Sequence, residues 1–176
     1  PGLAAGDRVA VVSSNRAEML TVEFATMSLG AIYVPLFAGY SPEQTTDLLA
    51  HAEPTVVLLA DGAALQRLVV PVSVKRVVVF SHTPATPPHA LGFADVLARH
   101  RPSAPRQREF MADAHAVDPN TPCLMMYTSG TSGALKGVLL THDNILSQRR
   151  ALGTLWNITP DDRFLSYLPW HHSFGG

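Results

Sequence analysis

The chain has 176 residues, 47% of them apolar, with a formal net charge of −1 and a single cysteine. That is enough apolar side chain to bury a core in one domain or a small pair of subdomains. The near-neutral charge, without a basic stripe, argues against a nucleic-acid partner. A lone Cys123 in an apolar run cannot form an internal disulfide and reads as a buried structural thiol in a reducing compartment. No apolar run approaches the roughly 18 residues of a membrane span, and no charged n-region followed by an apolar stretch opens the chain. A cytoplasmic protein, at most peripheral to a membrane, is expected.

The predicted elements alternate from the start. "DRVAVV" (Asp7 to Val12) is β-rich, and the following helical stretch has Ser14 and Asn15 as cap candidates and Gly30 as its stop. "AIYVPL" completes a βαβ unit, whose crossover should be right-handed. "SPEQTTDLLAHA" begins with Ser41 as N-cap, Pro42 at the first helical position and Gln44 three residues after the cap, a strong helix start. "TVVLLA" and "RVVVF" read as buried strands flanking a short helix at "DGAALQRLV", so residues 1–80 form an α/β subdomain portion. Residues 81–121 are expected to be a proline-rich connection. The stretch from Ser81 to Pro122 holds seven of the chain's 14 prolines and one helical island at "FADVLARH". Arg101, Arg106 and Arg108 there read as a solvated face.

Residues 122–176 are expected to carry a phosphate-loop hairpin, a helix and a strand. "PCLMMYTS" is an apolar strand running into "GTSGALK", after which "GVLLTH" is again β-rich. Residues 122–128 and 137–141 should pair antiparallel. "HDNILSQRRALGTLW" has helical spacing, with His142 and Asn144 capping it, and "TPDD" turns the chain into a strand at "RFLSYLP".

The loop between the paired strands asks for an anion. Gly130, Gly133 and Gly137 let the backbone approach a ligand so that successive N–H groups converge on it. Thr128, Ser129, Thr131 and Ser132 add hydroxyl donors, and Lys136, one of only two lysines in the chain, adds a full charge. A polar hairpin without a ligand has a similar composition. The Walker P-loop pattern fails twice, because Leu135 precedes and Gly137 follows Lys136 where that motif needs Gly and Ser or Thr, and a strand is expected after it; a helix beginning at Lys136 would revive that alternative.

The order "MYTSGTSGALKGVLLTHDNI" closely resembles the signature of the adenylate-forming, or AMP-binding, superfamily, which includes the acyl-CoA synthetases. One position departs, Leu135 standing where that pattern usually has proline. "GDRVAVV…VVLLAD" resembles the segment before the signature in acyl-CoA synthetases, and "YLPWHHSFGG" resembles the L-P-x-x-H-x-x-G motif after it. The resemblance implies an incomplete piece of a large N-terminal domain built from layered α/β subdomains, continuing beyond Gly176 into the rest of its own chain.

It also implies a chemistry. A carboxylate, fatty or otherwise apolar, attacks the α-phosphorus of Mg-ATP, pyrophosphate leaves, and coenzyme A captures the acyl-adenylate. Thr128, Ser129, Gly130, Thr131, Ser132, Gly133 and Lys136 would hold ATP phosphates, Thr128 and Lys136 would take the catalytic roles, and Thr128 would help to hold Mg²⁺. Trp170 and His172 would bind the acid, with His171 and Phe174 as further walls. As a metal pair His171 and His172 lack a third ligand at suitable spacing. A carrier-protein acceptor, or a nucleotide-binding module without catalysis, are the alternatives. The 176 residues alone are expected not to activate any acid.

Overall fold

The structure, a computed structural model, describes residues 2–99, 102–129, 135–163 and 165–171. In chain order these form β1 (Arg8–Ser13), α1 (Ala17–Ser28), β2 (Ile32–Phe37), α2 (Pro42–Ala52), β3 (Val56–Asp61), α3 (Gly62–Gln66) and β4 (Arg76–Ser81). Then follow β5 (Leu91–Gly92), α4 (Phe93–Arg99), α5 (Ala104–Ala116), β6 (Pro122–Ser129), β7 (Leu135–Thr141) and α6 (His142–Leu155). The strands join in one sheet ordered β5-β4-β3-β1-β2-β6-β7. All neighbouring pairs are parallel except β6 with β7.

Both sheet faces are covered, which is why the central strands read as continuous apolar runs. Side chains alternate across the sheet. Ala10, Val12, Val34, Leu36, Val57, Leu59, Val77 and Val79 pack on one face with Leu48 and Leu49 of α2 and Leu65 of α3. Val9, Val11, Tyr33, Leu58, Val78 and Phe80 pack on the other with Met19 and Val22 of α1. The placement follows from handedness. From β2 the chain returns past β1 to reach β3, so α1 and α2 carry crossovers in opposite directions, and right-handed crossovers then demand opposite faces.

Local signals account for most boundaries. Ser41 and Gln44 close the expected capping box, Gln44 N–H donating to Ser41 Oγ at 3.2 Å and Ser41 N–H to Gln44 Oε1 at 3.0 Å. Gly30 ends α1 at φ +68°, a left-handed conformation that favours glycine.

Four details differ from expectation. The N-cap of α1 is Arg16, without a side-chain cap bond, and not Ser14 or Asn15. The cap of α6 is Thr141, which forms a reciprocal box with Asn144 at the third position, while His142 opens the helix. A second helix, α5, occupies the proline-rich connection. Its prolines misled because Pro105 sits in the first turn, where a missing N–H costs nothing. Finally, among the described residues of 163–169 no strand forms. Leu165 and Tyr167 stand 86% and 76% exposed, and an apolar run without a neighbouring ladder has nothing to pair with. No helix of the described residues is long and apolar enough to cross a membrane.

Candidate functional site

The β6–β7 hairpin is antiparallel, as both β-rich flanks imply, and its register fixes the site geometry. Leu124 pairs with Leu140, Met126 with Val138, and Thr128 with Lys136. Directly opposed residues of an antiparallel pair project from the same face. Because Leu124 and Met126 belong to the core under α1, with Leu140 and Ile145 of α6 packed against it, alternation carries Thr128 and Lys136 onto that same face. Both are exposed, at the end of the hairpin where the apolar row runs out. A hydroxyl and an ammonium group therefore stand side by side at the root of the glycine-rich connection.

Ser129 ends β6, with its Cα opposite that of Leu135. Gly130, Thr131, Ser132 and Gly133 lie outside the described residues, as does His172. A lysine on a strand directly opposite the threonine is incompatible with a P-loop helix beginning at that lysine. Gly137 is close-packed beneath: a Cβ there would come within 2.8 Å of the Met125 methyl group.

Tyr127 faces the opposite way. Its hydroxyl lies 2.7 Å from His51 Nδ1 and 3.5 Å from the Leu48 carbonyl oxygen, both on α2. The ring is 7% exposed, and burial raises its pKa. This bond ties the residue next to Thr128 to the helix on the far face. No sequence pattern reveals it, since 76 residues separate the partners. Cys123 is fully buried, its thiol pushed up to about 11 mainly by desolvation, and its Sγ lies 3.6 Å from the Leu140 carbonyl oxygen. It is structural, as a thiol held protonated should be.

Trp170 reaches the face that carries Thr128 and Lys136. Its indole packs against the core that includes Met126 and Leu124, and its Nε1–H donates to Ser166 Oγ at 2.7 Å. Together with Tyr33 and Glu23 it lines a small cavity of about 40 Å³. His171 lies elsewhere, stacked on Phe37 at the end of β2 with ring centroids 4.6 Å apart. A larger cavity of about 410 Å³ opens there, bounded by Ser13, Ser14, Asn15, Phe37 and His171. Asn15, read from sequence as a helix cap, instead bonds the backbone at Leu168 and Trp170. Among the described residues no three His, Cys, Asp or Glu side chains converge on a metal site. A magnesium ion at Thr128 fits this donor set only as an ion carried by phosphates, with the hydroxyl as a single protein ligand.

The mostly parallel α/β sheet thus ends in an antiparallel hairpin that sets a hydroxyl and a lysine together at the root of a glycine-rich connection. The chain belongs to the AMP-binding enzyme family, which it matches over residues 1–176. It is 30% identical over 178 residues to "Fatty acyl-CoA synthetase A" of Dictyostelium discoideum, covering 98% of this chain and 26% of that protein. It is 29% identical over 175 residues to "Sulfoacetate--CoA ligase" of Cupriavidus necator, covering 99% of this chain and 32% of that protein. The fold is similar to that of ATP-bound MatB from Rhodopseudomonas palustris, with a TM-score of 0.65 and 27% identity, over 99% of this chain and 32% of that one. The chain thus spans between about a quarter and a third of the length of the relatives it matches.

Proposed function

We propose that the protein carrying this chain activates a carboxylic acid with ATP and passes the acyl group to coenzyme A. The observation that carries the reading is the Thr128–Lys136 pair at the root of the T-S-G-T-S-G-A-L-K connection, together with family membership. In the first half-reaction a carboxylate oxygen bonds to the α-phosphorus of ATP as the bond to the β-phosphate oxygen breaks, and pyrophosphate departs. In the second, the thiol of coenzyme A loses its proton and its sulfur bonds to the acyl carbon, and AMP departs with the C–O electron pair.

Negative charge grows on the departing pyrophosphate, so donors already aimed at it lower the barrier. Lys136 supplies a full positive charge there. Thr128, Ser129, Thr131 and Ser132 supply hydroxyls, and Gly130 and Gly133 allow close backbone approach. Magnesium, held through the phosphates with the Thr128 hydroxyl, would neutralise phosphate charge. Trp170 and His172 are assigned to the acid. An apolar acid is favoured by the indole of Trp170, which packs against an apolar core on the Thr128 face. The relatives are named for acids as different as fatty acyl chains and sulfoacetate; the preference for an apolar acid follows from Trp170.

The 176 residues by themselves are proposed not to turn over, since they span only between about a quarter and a third of the length of the relatives they match. Acid-dependent exchange of pyrophosphate into ATP by the intact protein, over a panel from fatty and aromatic acids to sulfoacetate, tests the first half-reaction. Comparing coenzyme A with a pantetheine-bearing carrier protein tests the second. Exchange with none of the acids would leave a nucleotide-binding module; transfer only to the carrier would reassign the acceptor.

A further inference from the structure

Asn15 occupies the short turn between β1 and α1, beyond the carboxyl end of a central strand, where open α/β sheets place ligand-binding loops. A polar residue there ordinarily caps the helix behind it, yet α1 has no side-chain cap. The carboxamide is engaged 153 and 155 residues away instead. Its Nδ2–H donates to the Leu168 carbonyl at 2.7 Å, and its Oδ1 accepts the Trp170 N–H at 2.9 Å. Both ends of the amide are used, one as donor and one as acceptor, so a side chain with only one of these functions satisfies half the arrangement.

The segment it grips has no helix or strand of its own among the described residues 165–171. Its position therefore depends on side-chain anchors. Asn15 holds the backbone on either side of Pro169, and Phe37 at the end of β2 stacks on His171. Between these anchors lies the cavity of about 410 Å³. With its backbone fixed, Trp170 sends its indole onto the Met126 core, the face that carries Thr128 and Lys136.

We infer that Asn15 is a positioning residue for the acid-binding side of the site, clamping the Leu168–Trp170 backbone so that Trp170 is held on the face that carries the phosphate hairpin. The inference rests on the proposed acid-activating function for its catalytic consequence and on geometry alone for the clamp. It does not touch the reacting atoms; it acts through Trp170.

Two measurements on the intact protein separate these layers. Incorporated 5-fluorotryptophan gives Trp170 a ¹⁹F resonance, assigned by its loss in Trp170→Phe. Asn15→Asp keeps the shape and the acceptor for the Trp170 N–H but sets a carboxylate oxygen against the Leu168 carbonyl; Asn15→Ala removes both bonds. Both are expected to shift or broaden the Trp170 resonance and leave the Trp156 resonance unchanged. In steady-state kinetics both should raise KM for the acid by about tenfold, the scale of one lost oriented bond, with KM for ATP within about twofold of the parent. A Trp170 resonance unchanged in folded Asn15→Asp would overturn the clamp whether or not the protein activates acids. A moved resonance with equal changes in the acid and ATP constants would overturn the acid-side assignment. Should the unmodified protein show no acid-dependent exchange, the proposed function fails, and the fluorine experiment still decides the clamp.

Discussion

Replacing Lys136 by alanine should separate chemistry from folding unusually cleanly. Lys136 is exposed on β7, the outermost strand of the sheet. It enters none of the ion pairs among the described residues, which join Arg8 to Glu53, Arg16 to Glu18 and Arg150 to Asp143. Truncation removes no core contact and keeps the backbone ladder to Thr128. The cost to stability is then a difference of strand propensity, under about 1 kcal/mol. The cost to catalysis is larger. A charge about 4 Å from a phosphate oxygen at an effective dielectric near 20 interacts by about 4 kcal/mol, and part of that is present already in the ground state. Loss of one oriented donor to a developing oxyanion slows the chemical step by roughly a hundredfold, near 2.7 kcal/mol. Single-turnover formation of acyl-adenylate by the intact protein should therefore slow by about that factor in Lys136→Ala, with a loss of under about 1 kcal/mol in urea denaturation. Lys136→Arg, which keeps the charge in another geometry, should fall between the two. A folded Lys136→Ala that forms adenylate at the parental rate would refute the electrostatic role.

How much of this was legible in the sequence depends on the range of the interaction concerned. Elements set by contacts within a turn or two were readable. Ser41 with Gln44 announced α2, Gly30 announced the end of α1, and the β-rich flanks announced β6 and β7 with their antiparallel pairing. The site hairpin was readable for the same reason, since Thr128 and Lys136 are brought together by a short connection. What failed was decided by competition between partners. Asn15 had the chemistry of a cap, but an amide can serve its own helix or a backbone 150 residues away, and a linear pattern does not say which. The prolines before α5 suggested a break, although one of them in a first turn is a helix signal. "RFLSYLP" has strand composition, but strand formation needs a neighbouring ladder. The His51–Tyr127 bond left no trace at all, because exposed histidines and strand tyrosines are each ordinary on their own.

The remaining predictions follow from packing and ionisation. Tyr127→Phe removes the hydroxyl held at 2.7 Å by His51 without leaving a void, and should cost about 1 kcal/mol in chemical denaturation of the intact protein; no change would mean that the bond adds nothing net. Gly62→Ala should destabilise by about 1–3 kcal/mol, because a Cβ there would lie 2.5 Å from Thr86 Cα and 2.9 Å from Thr86 N, backbone that no rotamer change can move; an unchanged midpoint would show that α3 shifts freely. Glu23 supplies the last. Its carboxyl lies partly buried between α1 and α6, and desolvation raises its pKa above 4.5 although the charge of Arg149 works in the opposite direction. The neighbouring Tyr33 and Cys123 are also raised, burial being the larger cause and the charge of Glu23 the smaller. An acid whose pKa is higher folded than unfolded binds more protons in the native state, so the stability it contributes is fully present below pH 4.5 and is lost as pH rises through the folded value. Glu23→Gln cannot ionise and escapes that loss. The midpoint difference between Glu23→Gln and the parent should accordingly grow in favour of the variant between pH 4 and pH 7. A constant difference would mean that Arg149 cancels the desolvation, and a reversed one that it outweighs it and that Glu23 is a net-favourable ion-pair partner in the folded protein.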